Sequence, residues 1–138
     1  MSSQEDCFHL GAKAVIVREG RVLLIKLRKN EARWDIPGGR LHKGESVEDG
    51  LRREVFEETG IQTLIEPKFL TLAIANIRIP LGDKDVGLAL ATYRCSIPEN
   101  AEIVLSDEHT HYEWRSPKEA ASRLEHYSMT LTNALLSL

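Results

Sequence analysis

Apolar and polar positions first fall into a strand pattern. Phe8 to Arg18 reads FHLGAKAVIVR and Val22 to Leu27 reads VLLIKL, with Glu19-Gly20 between them, which predicts two strands joined by a tight hairpin. At Ser46 the period changes. From there to Thr59 the chain has no proline, and Val47, Leu51 and Val55 recur every fourth residue. At about 100° per residue this makes one stripe of a helix. Ser46 stands where an N-cap belongs, next to Glu48 and Asp49, and Gly60 where a C-cap glycine belongs. The strand pattern then returns. Residues 63–79 predict one or two strands broken near Pro67, residues 81–85 a turn, and Val86 to Ile97 another strand. Ser116-Pro117 opens a helix, with Ser116 as N-cap, Pro117 at its first position and Ala120, Ala121 and Leu124 turned to the core. In the last segment, Thr130 to Leu138, Leu131, Leu135 and Leu138 share one helical face. Strands, helix, strands, helices in that order predict an α/β fold, a mixed sheet with helices on its faces.

Composition narrows the class without naming a reaction. The 138 residues fit a single domain, 1–138, of ordinary make-up: 42% hydrophobic and 28% charged. Its polar first seven residues are expected to be disordered. A formal net charge of -3 gives no reason to expect a nucleic-acid polymer as partner. The N-terminus has neither the basic start nor the apolar run of a signal peptide, and no later stretch is apolar for long enough to span a bilayer. A cytoplasmic protein with no membrane partner is the expectation. Cys7 and Cys95 are then expected as free thiols, with no metal-ligand pattern around either.

The helix from Ser46 to Thr59 carries an anomaly. Glu58 falls inside the Val47/Leu51/Val55 stripe, Glu54 at its edge and Glu57 just beyond. An unpaired buried carboxylate is costly, and like charges four residues apart repel. Arg53 is expected to neutralise one of the three, so a further positive partner is needed, and a hard divalent cation taking several carboxylate oxygens meets that need. Pro37-Gly38-Gly39 must end the preceding strand, because proline cannot donate to a ladder and paired glycines permit a tight backbone. Trp34 is expected to pack beside the segment from Gly39 to Ile61 as a core residue, with a nucleotide-facing role as the alternative. Lys26, Arg28, Lys29 and Arg33 form a basic cluster that either solubilises the surface or meets substrate, with Arg28 as the substrate-binding candidate.

Gly39, then Glu45 after five residues, Arg53-Glu54-Val55 after seven more, Glu57-Glu58 and Gly60-Ile61 together resemble the Nudix box, with every fixed position present. The resemblance implies an α/β/α sandwich and a hydrolase dependent on Mg²⁺, or on Mn²⁺ in its place. Such an enzyme cleaves the pyrophosphate bond of a nucleoside diphosphate linked to another group: a nucleoside triphosphate, a nucleotide sugar or a dinucleotide. It further implies Gly39 (through its carbonyl), Glu54, Glu57, Glu58 and Glu108 as metal-site residues, with Glu54 or Glu108 as the base that activates water. Arg53 would orient the glutamates, and Glu45 would support the loop or an outer metal. Glu108, in SDEHTHYEW, otherwise reads as an exposed loop acid, while His109 and His111 read as neutral surface residues outside the metal set. Asn133 matches loosely an asparagine that reads the base in relatives, and otherwise caps or solvates the last helix. Family members are often homodimers, and residues 71–79 offer an apolar surface for pairing. The rival class is a non-catalytic Nudix-like sensor that binds a nucleotide without turnover.

Overall fold

The computed structural model describes residues 4–138. Two strands, β1 (Phe8–Arg18) and β2 (Arg21–Leu27), form the expected hairpin, turning through Glu19 and Gly20, both at positive φ. The remaining elements are β3 (Trp34–Asp35), β4 (Gly38–Arg40), α1 (Val47–Thr59), β5 (Ile65–Ile74), β6 (Ile79–Leu81), β7 (Lys84–Ser96), β8 (His109–Arg115), α2 (Pro117–Arg123) and α3 (Met129–Leu136). The sheet runs β3-β2-β1-β7-β5, with β4 on β1, β6 on β7 and β8 on β2. Only β1 and β7 run parallel among the paired strands described; every other pair is antiparallel, so the sheet is mixed.

Alternation along β1 and β2 divides the core between the two faces of this sheet. Ala14, Ile16, Leu23 and Ile25 meet Leu51 and Val55 of α1 on one face. Val15, Val22 and Leu24 meet Ala120, Ala121, Leu124, Leu131 and Leu135 of α2 and α3 on the other. Each fully buried leucine contributes on the order of 1.5–3 kcal/mol, so α1 is pinned by its apolar stripe. The helix ends behave as their residues dictate: Ser46 Oγ accepts from Asp49 N–H, Gly60 takes φ 73°, and Ser116 caps α2 with Pro117 at its start. Helices on both faces of a mixed sheet make the α/β/α sandwich. Among the described residues, no helix is long and apolar enough to cross a membrane.

Three local expectations change. Pro67 does not break its strand: β5 runs through it with a register irregularity, and Glu66 takes φ 45°. β5 ends the order of strands, and an edge strand tolerates a residue without an N–H. Trp34 is only partly buried and packs against the α2/α3 cluster, on the sheet face opposite α1, with the Lys26 and Arg123 cations over its ring. Its register opposite Lys26 on β2 decides that. Of the seven N-terminal residues, 1–3 lie outside the described residues. Asp6 is held in an ion pair with Arg78, and the Cys7 carbonyl accepts from Gly87 N–H. Both cysteines are free thiols, and burial pushes that of Cys95 up to about 12.

Candidate active site

At Gly38 and Gly39 the backbone of β4 passes between β1 and α1 with no room for a side chain. At Gly38, φ is 141° and a Cβ would lie 2.1 Å from the Ala12 carbonyl oxygen; at Gly39 it would lie 2.7 Å from the Glu54 carboxyl carbon. Real Cβ contacts are never that short, so the glycine pair is what lets the strand reach the helix carboxylates.

The three glutamates of α1 sit as their helical angles require. Glu58 is 8% exposed, while the side chain of Glu57 is 54% exposed and that of Glu54 lies between them at 17%. Glu58 Oε1 accepts from Gly38 N–H at 2.7 Å. Burial pushes the Glu58 carboxyl up to about 8; the Lys13 charge and the Gly38 N–H pull the other way, while Asp35 and Glu54 add to the rise. Arg53 does more than neutralise one acid. Its guanidinium grips Glu45 through two nitrogens at 2.7 and 3.0 Å, Glu54 at 2.8 Å and Glu57 at 3.4 Å. Glu45 in turn accepts from His42 N–H at 2.8 Å, which ties the loop before α1 to the same arginine. Arg53 thus touches Glu54 and Glu57 directly and the loop before α1 through Glu45.

Beneath Glu58 lies a charged group that the sequence reading missed. Lys13, on β1, is buried and donates to Asp35 at 3.1 and 3.2 Å, to the Ile36 carbonyl at 3.3 Å and to the Gly38 carbonyl at 3.4 Å. Tyr127 O–H donates to the same Asp35 at 2.5 Å. Burial alone would lower the lysine, but the charges of Asp35, Tyr127 and Glu58 outweigh it and raise its pKa. The signal was present: Lys13 is the one charge inside the GAKAVIV run.

A cavity of about 810 Å³ joins these groups. Glu54, Glu57, Glu58, Glu108 and Gly39 all line it, as do Arg40, His42 and Lys43 of the loop and Phe8 and Leu10 of β1. Glu108, 50 residues beyond Glu58, is brought to it by the turn that leads into β8. Two expected residues are not. Arg28 is exposed and donates to the Asp107 carbonyl at 2.6 Å, bracing the Glu108 turn from outside the cavity, while Asn133 is exposed on α3, the helix packed on the opposite face of the sheet. His109 was misjudged as a surface residue. It is 2% exposed, its Nε2 lies 3.7 Å from Glu58 Oε2, and burial holds its imidazole below the ordinary pKa. His111 is exposed, as expected.

The donor set suits a divalent metal. One carboxylate oxygen each from Glu58 and Glu108 and a nitrogen of His109 lie within 4.8 Å of one another. Nε2 of His109 is buried and has no hydrogen-bond partner among the described residues. A closely spaced group of carboxyl oxygens beside an orphaned buried ring nitrogen is a costly arrangement that a cation between them would relieve.

Known proteins share both the sequence and the shape. A MutT-like protein from Streptomyces ambofaciens is 37% identical over 123 residues, covering 88% of this chain and 73% of that protein. A nucleoside triphosphatase NudI from Salmonella agona is 29% identical over 115 residues, covering 78% of this chain and 81% of that one. The crystal structure of a MutT protein from Methanosarcina mazei Go1 superposes with a TM-score of 0.71 at 27% identity, covering 98% of this chain and 95% of that chain. The family model described as the NUDIX domain matches residues 8–132, and with the glycine-strand-to-glutamate-helix geometry just described, the chain belongs to the Nudix hydrolase family.

Proposed function

We propose that this Nudix hydrolase takes a nucleoside triphosphate as its first substrate, releasing a nucleoside monophosphate and pyrophosphate, with Mg²⁺ as its metal and Mn²⁺ as a substitute. One observation carries this reading: four carboxylates, the cations of Arg40 and Lys43 and the imidazole of His42 line a single cavity. That is the charge pattern a polyphosphate needs, with acids to hold metal and bases to meet the remaining phosphate charge. The triphosphatase name of the Salmonella relative supports a triphosphate ahead of the nucleotide sugars and dinucleotides.

Glu57, Glu58, Glu108 and the Gly39 carbonyl would hold the metal. When bound, it supplies positive charge to the diphosphate oxygens and acidity to a water. The chain does the rest. Glu54, half-buried and fixed by Arg53 at 2.8 Å, takes the proton from the attacking water as its oxygen bonds to phosphorus and the phosphoanhydride oxygen departs; Glu108 is the second acceptor in reach of the cavity. Arg53 is a positioning residue, holding three glutamates in register by charge-assisted hydrogen bonds. Phe8 and Leu10, exposed in the cavity wall, offer the base an apolar face.

We further read residues 1–138 as one cytoplasmic domain, and the exposed Leu72, Ile74 and Ile77 on and just after the edge strand β5 as a surface on which two copies pair. Size-exclusion chromatography with light scattering tests the pairing. The activity is tested by incubating wild type and Glu57→Gln with Mg²⁺ and a panel of nucleoside triphosphates, nucleotide sugars and dinucleotides. Equal turnover by the two proteins ends the catalytic reading, and tight binding without turnover revives the sensor.

A further inference from the structure

We propose that His109 is a direct ligand of the divalent cation, giving this site one nitrogen among its oxygens and a preference for Mn²⁺ over Mg²⁺ beyond that of an all-oxygen site. The proposal rests on the metal-dependent reading of the cavity. Its observation is the environment of the ring. His109 is almost wholly buried at the start of β8, and its Nδ1 lies 3.5 Å from Ser106 Oγ, while Nε2 has no partner among the described residues. Nε2 instead faces Glu58 Oε2 at 3.7 Å. That is too long for a hydrogen bond. With the ring proton on Nδ1, the Nε2 lone pair points toward the Glu58 carboxyl with no hydrogen bond between them.

Two donors each about 2.1 Å from one cation can stand at most about 4.2 Å apart, and the 3.7 Å between Nε2 and Oε2 falls inside that limit. Glu108, adjacent in sequence and exposed, brings a third donor, a carboxylate oxygen, into a group whose ligand atoms all lie within 4.8 Å of one another. A small rotation of that free side chain closes the remainder. The Ser106 hydroxyl then acts as an outer partner that orients the ring, as metal-bound histidines usually require. His126 Nε2 also lacks a partner, but that ring belongs to no group of three donors among the described residues. Nitrogen donors favour the later divalent metals, whereas Mg²⁺ holds to oxygen.

The test titrates Mn²⁺ into the full chain and reads pulsed EPR for the ¹⁴N coupling of a directly bound imidazole. Wild type is expected to show it. His109→Gln is expected to lose it and to bind Mn²⁺ about tenfold more weakly, with Mg²⁺ affinity changed about twofold or less. Melting in EDTA establishes that His109→Gln is folded; should it not be, His109→Asn and the wild-type spectrum decide. Mn²⁺ bound to wild type without ¹⁴N coupling, with Glu58→Gln losing the ion, overturns the histidine ligation and leaves the carboxylate site standing. Equal Mn²⁺ binding by wild type and Glu58→Gln overturns both.

Discussion

Replacing Glu58 with glutamine should make the metal-free protein more stable at alkaline pH, although it removes a residue of the active site. The reasoning starts from burial: in the fold the carboxyl titrates at about 8 rather than 4.5. A group whose folded pKa is raised contributes stability that is complete below the unfolded pKa and is lost as pH climbs through the folded one. Between pH 4.5 and about 8 the unfolded chain ionises Glu58 while the folded chain keeps its proton, so folding weakens steadily across that window. At about 1.4 kcal/mol per pH unit, the accumulated loss is on the order of 3–5 kcal/mol. Glutamine cannot ionise, yet its oxygen still accepts the Gly38 N–H that now bonds Glu58. Urea denaturation in EDTA from pH 4 to 9, on wild type and Glu58→Gln side by side, isolates the difference because every other group is common to both. The two stabilities should nearly coincide at pH 4 and diverge by a few kcal/mol at pH 8.5. Added Mg²⁺ should close the gap by stabilising wild type alone. Parallel stability curves, or a variant that is weaker at pH 8.5, would refute the account of a buried carboxyl that waits for a cation.

Asp35→Ala leaves Lys13 buried without its ion pair and should cost about 3–5 kcal/mol in urea denaturation at pH 7. Gly39→Ala drives a methyl into the Glu54 carboxyl, 2.7 Å away. Displacing that side chain should lower kcat/KM about 10²-fold, with the far-ultraviolet circular dichroism unchanged. Arg28→Ala and Asn133→Ala lie outside the cavity and should leave kcat/KM within about threefold of wild type on the preferred nucleotide, a surface-sized effect.

The elements were legible because their signals are local. A hairpin needs only two apolar runs and a turn, and α1 needs only Ser46, an apolar stripe at four-residue spacing and Gly60; the structure returns both. The graded burial of Glu58, Glu54 and Glu57 was also legible, since helical angle alone ranks three side chains on one helix. Pro67 was misread because a proline's effect depends on whether its strand has a neighbour on both sides, and β5 lies at the edge. The face on which Trp34 packs was not legible, because two residues of strand have no period to read; only pairing with β2 orients them.

What the sequence determined by itself is the chemistry on α1 and the glycines before it, where spacing within about 20 residues fixes which groups share a face. What only the tertiary structure decided is the set of partners drawn from elsewhere. The buried Lys13–Asp35–Tyr127 group comes from β1, β3 and the turn after α2, and His109 meets Glu58 across some 50 residues of chain. The physical reason is that periodicity reports on one element at a time, whereas the desolvation that raises the Glu58 carboxyl and strands the His109 nitrogen arises only when three elements close around them.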